Sequence, residues 1–220
     1  MDSSFTDIIR TICLYAIPVI FAITLHEAAH GFVAKQLGDS TAWMLGRVSL
    51  NPARHIDPVG TIILPLATVA LTGFMFGWAK PVPVNFGNLR NPRRDSILVA
   101  AAGPATNVVQ AILWAGVLRI LAEVVESQAG VGGFWLEVAQ KGVVINVMFA
   151  VLNLFPLLPL DGGRILANVL PPRAGFAFSR TEPYGMVILL ILMVTGIFGR
   201  LMGPPVYALT AGIFSLFGLA

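Results

Sequence analysis

Apolar residues dominate long stretches of this chain, and polar residues collect in the connections between them. Each stretch approaches the roughly 20 residues that an α-helix needs to cross a hydrocarbon core about 30 Å thick. The pattern therefore predicts an all-α, polytopic membrane protein with about five to six transmembrane or re-entrant helices. The stretches are residues 8–33, 58–78, 96–122, 134–160, 184–201 and 203–219.

Two connections carry a pattern typical of short β-strands, at residues 43–50 and 81–85. Backbone of this kind near a bilayer must be buried in protein or line a cavity, because lipid cannot satisfy its N–H and C=O groups. We therefore expect short, membrane-associated β-like segments. The last two apolar stretches, within 184–219, are expected to form a tight helical hairpin that breaks just before Pro204 and Pro205.

The composition excludes a soluble protein. Hydrophobic residues make up 56% of the chain and charged residues 11%, and the mean hydropathy is +0.82. The single cysteine, Cys13, excludes an intrachain disulfide and a cysteine-rich zinc site. The net charge of +3 fits the basic loops of a membrane protein and does not indicate nucleic acid. No repeat or linker divides the chain, so we expect one domain over residues 1–220, without a cleavable signal peptide.

The strongest chemical signal is the sequence His26-Glu27-Ala28-Ala29-His30. On a helix, positions i and i+4 share one face, so both imidazoles can reach one metal ion, and Glu27 can act as a general base on water there. The motif ends an apolar run, and ionisable groups at membrane depth mark functional sites. The alternative is an interfacial helix end with solvated polar side chains.

A hydrolytic zinc site needs a third protein ligand, and Asp161 is the best-placed candidate. It follows Pro156 and Pro159, which end a helix, and it precedes a Gly-Gly pair that allows close approach of backbone. The alternative is that Asp161 caps the short helix that follows it. His55 is a rival third ligand, a gating residue or a plain interfacial histidine.

A run of small residues from Ala100 to Gly103 favours close packing of transmembrane helices. Pro104 frees a backbone carbonyl, and Asn107 places an amide in the membrane interior. For Asn107 we expect a polar role at the site, against the alternative of a packing contact between helices.

Three motifs occur in the order and spacing of the site-2 protease family, peptidase family M50: HEAAH at 26–30, GPATN at 103–107 and NLFPLLPLDGG at 153–163. The stretches RVSLNPARHIDPVGT and GWAKPVPVN also resemble one bacterial branch of that family. The resemblance covers about residues 20–170. It is to a compact bacterial type, without a PDZ-like insertion or a CBS-like domain, so regulation and substrate choice stay open.

The resemblance implies an intramembrane zinc endopeptidase that hydrolyses peptide bonds of membrane-spanning substrates. It implies that one zinc ion is held by His26, His30 and Asp161, and that Glu27 activates water. It also implies that Asn107 and Asn153 help to bind substrate or the oxyanion. The catalytic core would then occupy about residues 8–170, ahead of the C-terminal hairpin at about 184–219.

Basic residues cluster in three connections, which the positive-inside rule assigns to the cytoplasm. HEAAH and Asp161 can meet only if the helices that carry them end on the same face, so one intervening segment must fail to cross. Proline and glycine interrupt 58–78, so we expect this segment to re-enter or dip into the membrane. The site would then open toward the cytoplasmic side of the cell membrane. The clusters are Lys35, Arg47 and Arg54; Lys80, Arg90, Arg93 and Arg94; and Arg164, Arg173 and Arg180.

Two other functions use the same residues. Intramembrane His, Glu and Asp also mark ion pathways, which makes a metal transporter an alternative, although no inverted repeat is visible. The second alternative is a catalytically inactive relative that binds membrane helices without cutting them. As partners of a protease we expect a transmembrane protein substrate and the lipid bilayer, and no nucleic acid. The β-like segments would hold an unwound substrate by edge pairing.

Overall fold

The computed structural model describes residues 5–63, 79–125 and 130–219, and no β-strand occurs among them. Short 3₁₀ turns lie at Pro52–Arg54 and Phe86–Asn88, and a π-helical turn lies at Pro58–Ile63. The α-helices in chain order are α1 (Phe5–Gln36), α2 (Thr41–Met44), α3 (Pro92–Val124), α4 (Gly130–Asn153), α5 (Asp161–Val169), α6 (Pro172–Ser179), α7 (Glu182–Val194) and α8 (Ile197–Leu216).

Three of the described helices are long and apolar enough to cross a bilayer: Ile9–Gln36, Pro92–Val124 and Val131–Asn153. Helices α6 and α7, which meet at a bend of 66°, would make a fourth if the pair forms one span. The prediction of a helical membrane protein is confirmed. The described residues do not confirm five to six spans, and residues 64–78, most of the expected re-entrant segment, lie outside them.

Helix α3 runs antiparallel to α1. His30 of α1 bonds to the carbonyl of Val99, and His26, one turn earlier on α1, bonds to Asn107, two turns later on α3. The small residues of α3 allow this close packing, because Ala100 and Gly103 present almost no side chain to α1.

Helix α4 runs parallel to α1. Arg10 near the start of α1 pairs with Glu137 near the start of α4, and the ammonium of Lys141 lies 5.4 Å from the centre of the Tyr15 ring. Both helices therefore end at the same end of the bundle. This agrees with the sequence argument that the HEAAH motif and Asp161 can meet only if the helices that carry them end on the same face.

The connection between α1 and α3 returns to the end of the bundle from which it leaves. The N–H of Arg90 donates to the carbonyl of Leu37 at 3.0 Å, and the N–H of Lys80 donates to the carbonyl of His55 at 2.9 Å. His55 and Lys80 therefore lie at the same end of the bundle. The expected re-entry of 58–78 stays a prediction, because most of that segment lies outside the described residues.

Asp39 fastens this connection to the end of α1. Its fully buried carboxylate accepts hydrogen bonds from the hydroxyl and the N–H of Thr41, from the amide of Asn88 and, at 2.7 Å, from the N–H of Asn85. Burial acts to raise the pKa of Asp39, but these hydrogen bonds outweigh it and hold the pKa below its ordinary value. At neutral pH an anion therefore anchors residues 85–88 beside α1.

The expected β-like segments do not form strands. Residues 41–44 form α2, and the alternating pattern that follows in 45–50 has no partner strand among the described residues. The backbone of 81–85 bonds to side chains of Glu27 and Asp39 instead of to a ladder. Alternation without a neighbouring strand does not produce a sheet, because a strand needs interstrand hydrogen bonds.

The C-terminal hairpin is present, but it turns at a different place from the one expected. Helix α7 ends at Val194 and α8 begins at Ile197, whereas Pro204 and Pro205 lie inside α8. Gly196 has a φ of +73°, a left-handed conformation that glycine adopts without steric cost. The turn follows the glycine and not the prolines.

Candidate metal centre

The three predicted ligands converge on one point near the end of α1. The Nε2 atoms of His26 and His30 lie 3.0 Å apart, and each lies 3.3 Å from Oδ2 of Asp161. Both imidazoles are buried, and Asp161 is nearly so. Two ligand atoms of a tetrahedral zinc ion, with bonds of about 2.0–2.1 Å, lie about 3.3 Å apart. The spacing therefore fits one zinc ion.

The hydrogen bonds around the two rings leave the correct atoms available. Nδ1–H of His26 donates to Oδ1 of Asn107 at 2.7 Å, and Nδ1–H of His30 donates to the carbonyl of Val99 at 2.7 Å. A neutral imidazole carries one N–H, so each Nε2 presents a lone pair. Oδ2 of Asp161 is buried without a hydrogen-bond partner. Two lone pairs and a carboxylate oxygen that face each other form a donor set for a divalent cation.

A tight loop delivers Asp161 to this point. Helix α4 ends at Asn153, and residues 154–160 fold back so closely that a Cβ atom on Gly162 or Gly163 would overlap loop backbone. Asp161 is the first residue of α5, the N-cap position is taken by Leu160, and Oδ2 of Asp161 lies 3.3 Å from both imidazole Nε2 atoms. The capping alternative is therefore wrong, because the carboxylate faces the two imidazoles instead of the helix N–H groups.

Gly103 explains how α3 comes so close to the site. A Cβ atom built on Gly103 would lie 2.5 Å from Cε1 of His26 and 2.5 Å from Nε2 of His30. Any side chain at this position would occupy the space in which the rings lie. The small-residue run thus serves more than helix packing, since it leaves room for the metal-binding rings.

Glu27 is half-buried beside the ligands, and a backbone group holds its carboxylate. The N–H of Val82 donates to Oε2 of Glu27 at 2.7 Å. The guanidinium of Arg47 donates to the carbonyls of Lys80 and Pro81 at 3.0 and 3.3 Å, which positions the chain just before Val82. The segment 80–82 therefore fixes the orientation of Glu27.

The remaining sequence candidates lie in different surroundings. Asn107 is fully buried, and both ends of its amide are engaged inside the protein. Asn153 donates to the carbonyl of Phe149 one turn back in α4. Substrate contacts of these two residues stay predictions. His55 is buried, and its Nε2 contacts the carbonyl of Ser49; it does not belong to the ligand cluster found among the described residues.

Sequence reasoning missed Asn146. This residue is fully buried on α4, and its Oδ1 accepts a hydrogen bond from Nδ2 of Asn107 at 3.0 Å. A signal was present, since an amide stands out in an apolar helix and lies two turns before Asn153 on the same face.

Comparison with known proteins was consistent with this site. The model for "Peptidase family M50" matches residues 115–196, which include Asp161. The chain is 35% identical to "Putative zinc metalloprotease YwhC" of Bacillus subtilis, over 91% of this chain and 89% of that protein. It is 30% identical to "Putative zinc metalloprotease Rip2" of Mycolicibacterium smegmatis, over 82% of this chain and 66% of that protein. No solved structure matches the chain.

Proposed function

The chain belongs to peptidase family M50, and from that premise we propose that it is an intramembrane zinc endopeptidase that hydrolyses peptide bonds of membrane-spanning protein substrates. The relatives carry the name of zinc metalloproteases, and the described helices are those of a membrane protein. The observation that carries the proposal is the buried convergence of His26, His30 and Asp161.

One zinc ion fits this donor set, and His26, His30 and Asp161 would hold it. When bound, zinc supplies a Lewis acid that activates water and polarises the scissile carbonyl. The chain supplies the proton transfer: Glu27 accepts the proton of the attacking water and delivers it to the leaving amide nitrogen. Its hydrogen bond from Val82 keeps one carboxylate oxygen engaged, so the other is the one that meets water.

The substrate must reach the site from within the bilayer and be extended there, because a helical peptide bond is shielded by its own hydrogen bonding. A groove of about 330 Å³ lies beside the motif, between α1, the loop at 48–50 and α3. We propose that an unwound, apolar substrate segment lies in this groove. Its lining residues are Leu25, Ala28, Ala29, Phe32, Val48, Ser49, Leu50 and Thr106.

We further propose that residues 1–220 act as one domain in the cell membrane, with the catalytic core at about 8–170 and the site open toward the cytoplasm. Support for the orientation comes from the basic clusters. Arg93 and Arg94 begin α3 at the end of the bundle where α1 ends, and Arg93 donates to the last carbonyls of α5 at the same end. Asn107 and Asn153 are proposed as polar groups near the substrate.

The decisive experiment compares the wild-type chain with Glu27→Gln in zinc content and in cleavage of a co-expressed transmembrane substrate. We expect the variant to bind zinc with wild-type stoichiometry, because no ligand changes. Turnover should fall by at least about 100-fold, since general-base catalysis contributes roughly 10²–10⁴-fold. Cleavage at the wild-type rate by this variant would sink the assignment of Glu27. A wild-type chain that binds zinc but cuts no membrane substrate would favour the transporter or the inactive helix binder.

A further inference from the structure

Three fully buried or nearly buried side chains line up from α4 through α3 to the metal centre. Nδ2 of Asn146 donates to the carbonyl of Gly142 at 2.9 Å, and Oδ1 of Asn146 accepts from Nδ2 of Asn107 at 3.0 Å. Oδ1 of Asn107 accepts from Nδ1–H of His26 at 2.7 Å. Both asparagines have no exposed surface. This chain of hydrogen bonds is called the amide relay below.

The direction of the relay is fixed by backbone groups that can only accept. The carbonyl of Gly142 requires the NH₂ group of Asn146, which leaves Oδ1 of Asn146 facing Asn107. Nδ2 of Asn107 also donates to the carbonyl of Ala22 at 3.2 Å. If the Asn107 amide were reversed, its oxygen would face two acceptors in a buried site, and buried polar groups without a hydrogen-bond partner are disfavoured.

From this geometry we propose that Asn146 is a positioning residue that fixes, through Asn107, the tautomer and the orientation of His26. Because Oδ1 of Asn107 can only accept, His26 carries its proton on Nδ1, and the lone pair of Nε2 points at the ligand cluster. The inference rests on the proposed function only in taking His26 as a zinc ligand. Partners of metal-bound histidines commonly orient the ring in this way, but here a second amide holds the first one in place.

The tautomer can be measured without any metal. The chain contains only three histidines, so nitrogen NMR of the full, metal-free chain labelled at histidine resolves each ring. In the wild type at alkaline pH we expect His26 and His30 protonated on Nδ1. His55 should be protonated on Nε2, because that atom faces the carbonyl of Ser49.

In Asn146→Leu the signal of His26 should shift to a mixture of tautomers, because only the carbonyl of Ala22 then opposes reversal of the Asn107 amide. His30 is an internal control, since the carbonyl of Val99 holds it independently of the relay. Asn146→Asp should restore the wild-type signal of His26, because a carboxyl oxygen still accepts from Asn107. A pure Nδ1–H signal for His26 in Asn146→Leu, with an intact fold, would overturn the proposal.

Zinc affinity supplies an independent readout, measured by chelator competition on the detergent-solubilised full chain. Asn146→Leu should weaken zinc binding about tenfold, within the range for partners of metal ligands. The double variant Asn107→Leu/Asn146→Leu should bind zinc as Asn107→Leu does, because both changes interrupt one relay. Fully additive losses would show that Asn146 acts only through general packing and would overturn the proposal.

Val147→Ala is the matched control, since Val147 is the next residue of α4, is fully buried and lies outside the relay. It should lower thermal stability and leave zinc affinity unchanged. An equal loss of affinity in Val147→Ala would also contradict the proposal. The two failures are distinguishable: wild-type affinity in Asn146→Leu defeats the relay alone, whereas a zinc-loaded wild type that cleaves no substrate defeats the protease and leaves the tautomer result standing.

Discussion

At the scale of single residues, the metal centre depends on its three ligands and on the groups that hold the two imidazole rings. The i, i+4 spacing of His26 and His30 fixes a shared helix face whatever the tertiary structure. The prolines and glycines around Asp161 make it a candidate third ligand, because they predict a turn there. They do not predict the direction in which that turn leads. The partners of the two rings, Val99 and Asn107, depend on how α3 packs against α1, and no local pattern specifies that register.

The ligand set can be tested against the rival histidine. Asp161→Ala should reduce zinc affinity by more than the roughly 10–100-fold typical of indirect partners, because it removes one of three direct ligands. His55→Ala should retain zinc, since His55 lies outside the cluster. Metal analysis of both purified variants settles the comparison. Full occupancy in Asp161→Ala together with loss in His55→Ala would assign the third ligand to His55.

Gly103 offers a second test at this scale. Gly103→Ala should weaken zinc binding at least about tenfold, because the added methyl would overlap both imidazoles and force α3 away from α1. The matched control is Gly116→Ala on the same helix, where a Cβ atom would lie 3.6 Å from Cε1 of Phe217, an ordinary contact. That control should keep full zinc affinity. Equal affinities in the two variants would contradict the tight approach of α3.

At the scale of elements, the long helices were predictable and the irregular segments were not. Apolar runs of span length determined α1, α3 and α4, because a lipid environment leaves the helix as the only way to satisfy such a backbone. The alternating pattern at 43–50 predicts a β-like segment, and this prediction is wrong. A strand forms only beside a neighbouring strand, and a local pattern does not show whether one is present. The prolines predict a break at 204–205, but the turn between α7 and α8 forms at Gly196, whose left-handed φ glycine adopts without steric cost.

The loop that carries Asp161 depends on α7 for its position. A Cβ atom on Gly185 of α7 would overlap the carbonyl oxygen of Leu158 in that loop. Gly185→Ala should therefore displace the loop, destabilise the protein by about 1–3 kcal/mol and reduce zinc affinity. Thermal unfolding and chelator competition measure the two effects. Gly199→Ala on α8, where a Cβ atom meets nothing within 4 Å, should change neither. An unaffected zinc affinity in Gly185→Ala would mean that α7 does not support the site.

At the scale of the whole molecule, the number of membrane crossings decides whether the metal ligands can meet. The site can form only if α1 and α4 end on the same side of the membrane. They do so because the long helix between them, α3, runs antiparallel to both. The hydrogen bond from the N–H of Lys80 to the carbonyl of His55 holds these two residues at one end of the bundle. The described contacts are the same in either direction relative to the cell.

Cysteine labelling supplies that direction. In a Cys13→Ser background, single cysteines at the exposed positions Ala53, Arg94 and Ala174 should all react with an impermeant reagent from the cytoplasmic face, because ten basic residues cluster near these positions. A cysteine at the exposed Val131, near the start of α4, should react from the opposite face.

Labelling of all three positions from outside would invert the orientation and leave the metal centre intact. Labelling of Ala53 and Arg94 from opposite faces would contradict the finding that the connection between α1 and α3 leaves and returns at the same end of the bundle. If Ala174 instead labelled from the face opposite Ala53, α5 and the end of α1 would lie on different sides of the bilayer. His26, His30 and Asp161 would then be unable to share one ion, and the active site itself, not only its orientation, would be wrong.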